Sequence, residues 1–210
     1  RCNYFARSSA LDKTAWLNQV QEPALEPELE ICDAHHHLWQ RGDNKYWVDD
    51  FINEIKRSGH NITSSVFVQC ETGYRSAGPD DYKPVGETET IAKISPQQGI
   101  RVAAAIIGHA NLNLGAKVRP ILEAHINAVP NRFRGIRHSA AWDKDPRVSN
   151  SHSKPFEHMF LDKTFQQGFA QLADLGLIFE AWLYFHQLPD VLALARKFPE
   201  TTIVLNHVGG

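Results

Sequence analysis

The chain has 210 residues and a mass of 23.7 kDa, room for one large domain or a piece of one at roughly 150 residues per domain. Apolar residues make up 42% and charged residues 22%, a globular rather than disordered composition. Its 22 basic and 24 acidic residues leave a net charge of −2 with no basic run, which excludes a nucleic-acid footprint. The longest apolar stretches, Val102 to Ile107 and Ala181 to Phe185, are far too short to span a bilayer.

Residues 1–30 read as an appendage. Ser9 caps a helix over Ala10–Val20, and the acidic, proline-bearing Glu22–Glu30 is an extended linker. Residues 31–210 then repeat one pattern of apolar run, polar loop and amphipathic stretch. The apolar runs lie near Leu29–Ala34, Ser65–Cys70, Arg101–Gly108, Phe133–Arg137, Leu177–Tyr184 and Thr202–Asn206. They are short and mostly rich in Val, Ile and Phe, as strands buried on both faces of a parallel sheet are. Between them, Val48, Phe51, Ile52 and Ile55 mark a helix face that Gly59 ends. Val118, Ile121, Leu122 and Ile126 mark another, as do Phe165, Phe169 and Leu172 before Gly176, and Val191, Leu194, Ala195 and Phe198 before Pro199. Such alternation predicts an α/β fold of βα units. Six strands at roughly 30 residues each suit either an open doubly wound sheet or a (β/α)8 barrel missing two units, since a full barrel takes about 250 residues. Long loops after strands, Thr72–Gly86 and Ser139–Lys163, fit the barrel, and a doubly wound sheet would also place ligands there, but no glycine-rich phosphate loop follows any strand, which counts against nucleotide binding.

Three cysteines, Cys2, Cys32 and Cys70, are too few and too unpatterned for a disulfide framework and point to the cytoplasm. No charged segment followed by an apolar one opens the chain as a signal peptide does. The eleven histidines make a metal or acid–base site worth seeking. Asp33-Ala34-His35-His36-His37 ends the first strand. Alternation puts His35 and His37 on one face with Asp33 and sends His36 the other way. Two imidazoles so placed suit one divalent metal; the competing reading is a hydrogen-bonded polar cluster. His186 and His207 follow the fifth and sixth strands, where strand ends converge on a barrel mouth. His109 and His138 also end strands, as second-rank contacts or polar tips. His60, His125, His152 and His158 are expected to be solvated. Arg134 and Arg137 lie within the fourth apolar strand, where a cation is costly unless paired. Arg134 falls near the strand start. Arg137 reaches the mouth, to fork a substrate carboxylate or to pair with Glu71 or Asp143. Gln69 and Glu71 share a face at the second strand end, as metal, substrate or supporting groups.

Asp33-Ala34-His35-His36-His37-Leu38-Trp39, Phe133-Arg134-Gly135-Ile136-Arg137-His138, His186-Gln187-Leu188-Pro189 and Asn206-His207-Val208-Gly209 together resemble the amidohydrolase-related (amidohydrolase 2) family. That family holds sugar-lactone and pyrone-dicarboxylate lactonases and a carboxymuconate-semialdehyde decarboxylase type. The resemblance runs from about Leu29 to Gly210. It implies a (β/α)8 TIM barrel, here the first six units, with a metal site of His35, His37 and His186. Zinc is the cofactor it leads one to expect, with His186 and His207 as catalytic groups. Arg137, Arg134, Gln69, Glu71 and His138 are the substrate-binding candidates. The family's acid at the eighth strand end has no counterpart in this sequence. The implied reaction is hydrolysis of a lactone or related cyclic carbonyl, with a metal-free variant in which histidines and an arginine polarise the carbonyl. Non-oxidative decarboxylation on the same scaffold and a non-catalytic remnant are the alternatives. The expected partner is a small anionic or sugar-derived molecule, and exposed barrel helices suit a homo-oligomer.

Overall fold

The computed structural model describes residues 14–20 and 22–210. Ser9 and the first part of the expected N-terminal helix lie outside the described residues; the described part of that helix is α1, Thr14–Leu17. Six parallel strands follow, β1 (Glu30–His36), β4 (Asn61–Val68), β5 (Arg101–Gly108), β6 (Phe133–Arg137), β7 (Ile178–Ala181) and β8 (Ile203–Leu205), hydrogen-bonded in chain order. Between β1 and β4 a small antiparallel hairpin, β2 (Trp39–Arg41) and β3 (Asn44–Tyr46), turns at Gly42 with φ +58°.

Six strands at about 4.8 Å spacing would hold their outer members about 24 Å apart in a flat sheet. Here the rings of His35, on β1, and His207, just after β8, lie 4.8 Å apart. The sheet is therefore curled into six units of a (β/α)8 barrel, open between β1 and β8. The expectation of strands buried on both faces holds for the middle strands and fails for these two. Cys32 and Ala34 on β1 and Val204 and Leu205 on β8 are exposed, because among the described residues no further strand pairs with the outer edge of either.

The helices pack outside the sheet: α2 (Val48–Ser58), α3 (Val85–Ala92), α4 (Arg119–Ala128), α5 (Lys163–Asp174) and α6 (Leu188–Lys197). In α2 the expected face of Val48, Phe51, Ile52 and Ile55 is buried, Asp49 and Asp50 favour the positive N-terminal end, and Gly59 closes the helix at φ +73°. The sequence pattern does not reveal α3, because its buried face carries Gly86, Glu87 and Thr88 beside Val85 and Ile91, and apolar periodicity is lost. Against α5, β7 supplies Phe179 to a cluster with Phe160, Phe165 and Phe169.

Three histidines belong to this outer layer. His36 points away from its two neighbours, as alternation predicts; it stacks on Phe51 at 4.3 Å and its Nε2 lies 3.0 Å from Ser65 Oγ. His125, expected in solvent, is instead fully buried between Thr88 Oγ1 and the His109 carbonyl. His138 accepts a hydrogen bond from the Leu112 amide. Burial lowers His36 and His125 to about 4 and His138 well below its ordinary value. Unfolding lets each take up a proton below about pH 6.5, so their contribution to stability is complete above that pH and is lost as pH falls towards about 4. The urea midpoint is expected to drop steadily from pH about 6.5 to about 4, and a flat profile there would contradict this burial.

Candidate active site

The C-terminal ends of parallel strands point one way, so side chains just past them converge. β1 delivers His35 and, just past its end, His37. Asp33 does not join them: its Oδ1 accepts the His35 amide at 3.1 Å and shapes the strand end. His37 Nδ1 lies 2.7 Å from the Val68 carbonyl. A carbonyl can only accept, which assigns the proton to Nδ1 and leaves Nε2 unprotonated, an acceptor. That nitrogen faces His35 Nε2 at 3.3 Å. Burial is the main force holding His35 at about 3 and His37 at about 4, so both are neutral at physiological pH.

Arg137 ends β6 and reaches the same place. Its Nε and Nη2 donate to Gln69 Oε1 at 3.2 and 2.8 Å, Nη2 also donates to the Gln69 carbonyl, and Nη1 lies 3.5 Å from His35 Nε2. The sequence offers Glu71 or Asp143 as its ionic partner. The structure uses Gln69 instead, and Glu71 pairs with His152 Nε2 at 2.9 Å on the rim. That hydrogen bond holds the Glu71 carboxyl below its ordinary value.

Glu180, which no sequence motif singles out, is level with Arg137 across the β6–β7 ladder. It is buried, accepts Asn206 Nδ2 at 3.0 Å and stands 3.9 Å from His35 Nδ1. Burial pushes its carboxyl up against the opposing pull of Asn206 and Arg137. One signal for it exists: a carboxylate inside the apolar run Leu177–Trp182 needs a reason to be there. A cavity of about 220 Å³ lies between the two open strands, lined by Ala34, His35, Glu180, Val204, Asn206 and His207 among others.

The other candidates lie elsewhere. His186 sits on a turn after β7, its Nε2 3.2 Å from the Trp142 carbonyl and 3.8 Å from Asp143 Oδ2, and it takes its contacts there rather than from His35 or His37. Arg134 is exposed at the start of β6 and donates to the Asn131 and Phe133 carbonyls, away from the mouth. His138 is 1% exposed beside Phe165 and His109, facing the helices, because one residue past Arg137 the alternation has reversed.

Two features of the histidine pair fit a zinc ion. Tetrahedral ligands at about 2.05 Å lie about 3.3 Å from one another, and the two Nε2 atoms are 3.3 Å apart. The Val68 carbonyl also orients His37 as carbonyls orient metal-bound imidazoles. Among the described residues no group of three His, Cys, Asp or Glu side chains is arranged to hold a metal, so the pair supplies two donors of an incomplete set.

The amidohydrolase family profile matches residues 32–210. The protein y4mH of Sinorhizobium fredii is 27% identical over 203 residues, covering 87% of this chain and 63% of its own length. The L-fucono-1,5-lactonase of Burkholderia ambifaria is 24% identical over 198 residues, covering 83% of this chain and 55% of its own length. An amidohydrolase from Burkholderia multivorans, solved once with HEPES and once with zinc bound, superposes with TM-scores of 0.59 and 0.58 at 22% identity, over 85% of this chain and 57% of that one. The chain thus spans about three-fifths of the length of these relatives.

Proposed function

This chain belongs to the amidohydrolase family, and from that premise we propose that its mouth opens a small lactone, anionic or sugar-derived, by hydrolysis. The observation that carries the proposal is the convergence of neutral His35 and His37, the Arg137 fork and Glu180 at one end of the barrel. The lactonase relative favours this reaction over decarboxylation.

In the reaction the acyl carbon–oxygen ring bond breaks, water supplies a hydroxyl to the acyl carbon, and the ring oxygen leaves as an alcohol. The product is a carboxylic acid that releases one proton. Arg137, half-buried and held by Gln69, binds the negative charge of the substrate or of the reacting carbonyl oxygen. The unprotonated Nε2 of His37 accepts a proton from water or orients it when no metal occupies it. His207, facing His35 across the opening, lies at the cavity where the ring would enter. In a metal-bound form the Nε2 lone pairs of His35 and His37 would instead hold a divalent ion such as zinc, which would supply carbonyl polarisation and water acidification in place of His37 acting as base. His186 joins that set only if the loop carrying it moves towards β1. Free Cys32 and Cys70 accord with a reducing compartment such as the cytoplasm, and among the described residues no helix is long and apolar enough to cross a membrane.

The test is acid release from a panel of aldonolactones and carboxylated lactones, read with a pH indicator, for the wild type and for His37→Ala. The expected result is turnover that His37→Ala lowers by on the order of 10²-fold. Loss of turnover in chelator with recovery in zinc would place the metal in the reaction, and an unchanged rate would remove it. Carbon dioxide without ring opening would replace the proposal by decarboxylation. A wild type that turns over neither class would leave the non-catalytic reading.

A further inference from the structure

A carboxylate lies outside the mouth, in the first turn of α3, and the reaction above does not use it. Glu87 is 0% exposed. Its Oε1 accepts two backbone amides, Cys70 N at 2.9 Å and Thr72 N at 2.8 Å, while its Oε2 is buried without a hydrogen-bond partner. Glu71 between the two amides has φ +68°, which turns both N–H groups towards the same oxygen.

The Cys70 amide belongs to the same peptide group as the Gln69 carbonyl. That peptide is planar and rigid. Its N–H donates to Glu87, and its C=O accepts from Arg137 Nη2. One plane therefore joins the buried carboxylate to the guanidinium. A rotation of the plane that turns the carbonyl away from Arg137 also takes the amide away from Glu87. The contact of the loop with α3 leaves little slack: a Cβ added at Gly86 would fall 2.5 Å from Arg75 N and 2.7 Å from Gly73 O. On the other side, the Gln69 amide is pinned to the Ile107 carbonyl at 2.9 Å.

We infer that Glu87 is a positioning residue, whose carboxylate fixes the Gln69–Cys70 peptide and through it aims Arg137 into the mouth. This rests on the proposed role of Arg137 for its kinetic consequence, but not for its structural one. Glu87 also polarises the shared peptide, making the Gln69 carbonyl a stronger acceptor for the guanidinium. Oxygen reach matters more than side-chain charge in this arrangement. The substitution Glu87→Gln keeps an oxygen at the same distance, whereas Glu87→Asp keeps the charge and withdraws it by one methylene.

The experiment compares Glu87→Gln, Glu87→Asp and Glu87→Ala in the whole chain. The first readout is the ¹⁵N–¹H resonance of Arg137 Nε, assigned by its loss in Arg137→Lys. It requires no substrate, so it decides the structural claim even if no lactone is opened. The expected result is a resonance that moves or broadens in the Asp and Ala variants and stays in place in the Gln variant. The second readout is kinetic: KM for an anionic lactone rises in the Asp and Ala variants, kcat/KM falls on the order of 10²-fold, and the Gln variant recovers most of it. If the Ala variant fails to fold, the Gln and Asp pair still decides. An unmoved resonance in the Asp variant, or one displaced in the Gln variant but not in the Asp variant, overturns the inference. So does a fall in melting temperature alone, with the resonance and KM both unchanged.

Discussion

Replacing Arg137 by methionine is expected to lower kcat/KM for an anionic lactone by on the order of 10²- to 10³-fold. The size of the effect follows from removing the cation of the charge pair that half-buried Arg137 would make with a bound substrate anion, about 2–5 kcal/mol, where about 1.4 kcal/mol is tenfold. Methionine fills similar volume but leaves Gln69 Oε1 and the Gln69 carbonyl without their donor. It also removes the positive charge that acts on the nearby carboxyls of Glu180 and Glu87. Arg137→Lys should recover little, because an ammonium cannot present two parallel donors. A neutral lactone tells the two roles of the residue apart. A smaller loss on the neutral substrate means that Arg137 holds the substrate's anion; an equal loss means that it acts on the reacting carbonyl. A loss below about threefold on both, with the protein folded, would remove Arg137 from the site.

Phe179→Ala is expected to be the most damaging change to stability, at about 3–5 kcal/mol. Phe179 is fully buried and lies 5.1 to 6.2 Å, ring to ring, from Phe160, Phe165 and Phe169. Removing its ring opens a void between β7 and α5 that flanking aromatics cannot fill without leaving their rotamers. For a chain of this size, each kcal/mol moves Tm by about 2–4 °C, so a fall of about 6–20 °C is expected in a thermal melt. Glu180, the next residue, points to the opposite face, so molecules that remain folded at low temperature should keep their turnover. A loss under about 1 kcal/mol would mean that this cluster is not the centre of the helix–sheet packing.

The main elements are legible in the sequence because their cause is local. β5 and β6 lie where their apolar runs predict, Arg101–Gly108 and Phe133–Arg137. The face of α2 falls on the four predicted residues. Helices and strands that bury an apolar stripe write that stripe at their own period, and a single chain can be read for it. The histidine pair is legible for the same reason: alternation separates His36 from His35 and His37, and the structure keeps that separation. Where a buried face is polar the signal disappears. α3 carries Glu87 and Thr88 inward, so neither the helix nor its buried acid stands out from the long loop before it.

What the sequence by itself determined is therefore the α/β order of six units, the family motifs and the pairing of His35 with His37 at the end of the first strand. Only the tertiary structure decided which groups stand beside them. Gln69 and not Glu71 holds Arg137, Glu180 enters the mouth, and His138, Arg134 and His186 make their contacts elsewhere. The physical reason is distance along the chain. Arg137 meets a group 68 residues away, and His35 meets Arg137 across 102. Such encounters depend on strand register and on the curl of the sheet, quantities fixed by packing over the whole barrel and written in no short stretch of residues.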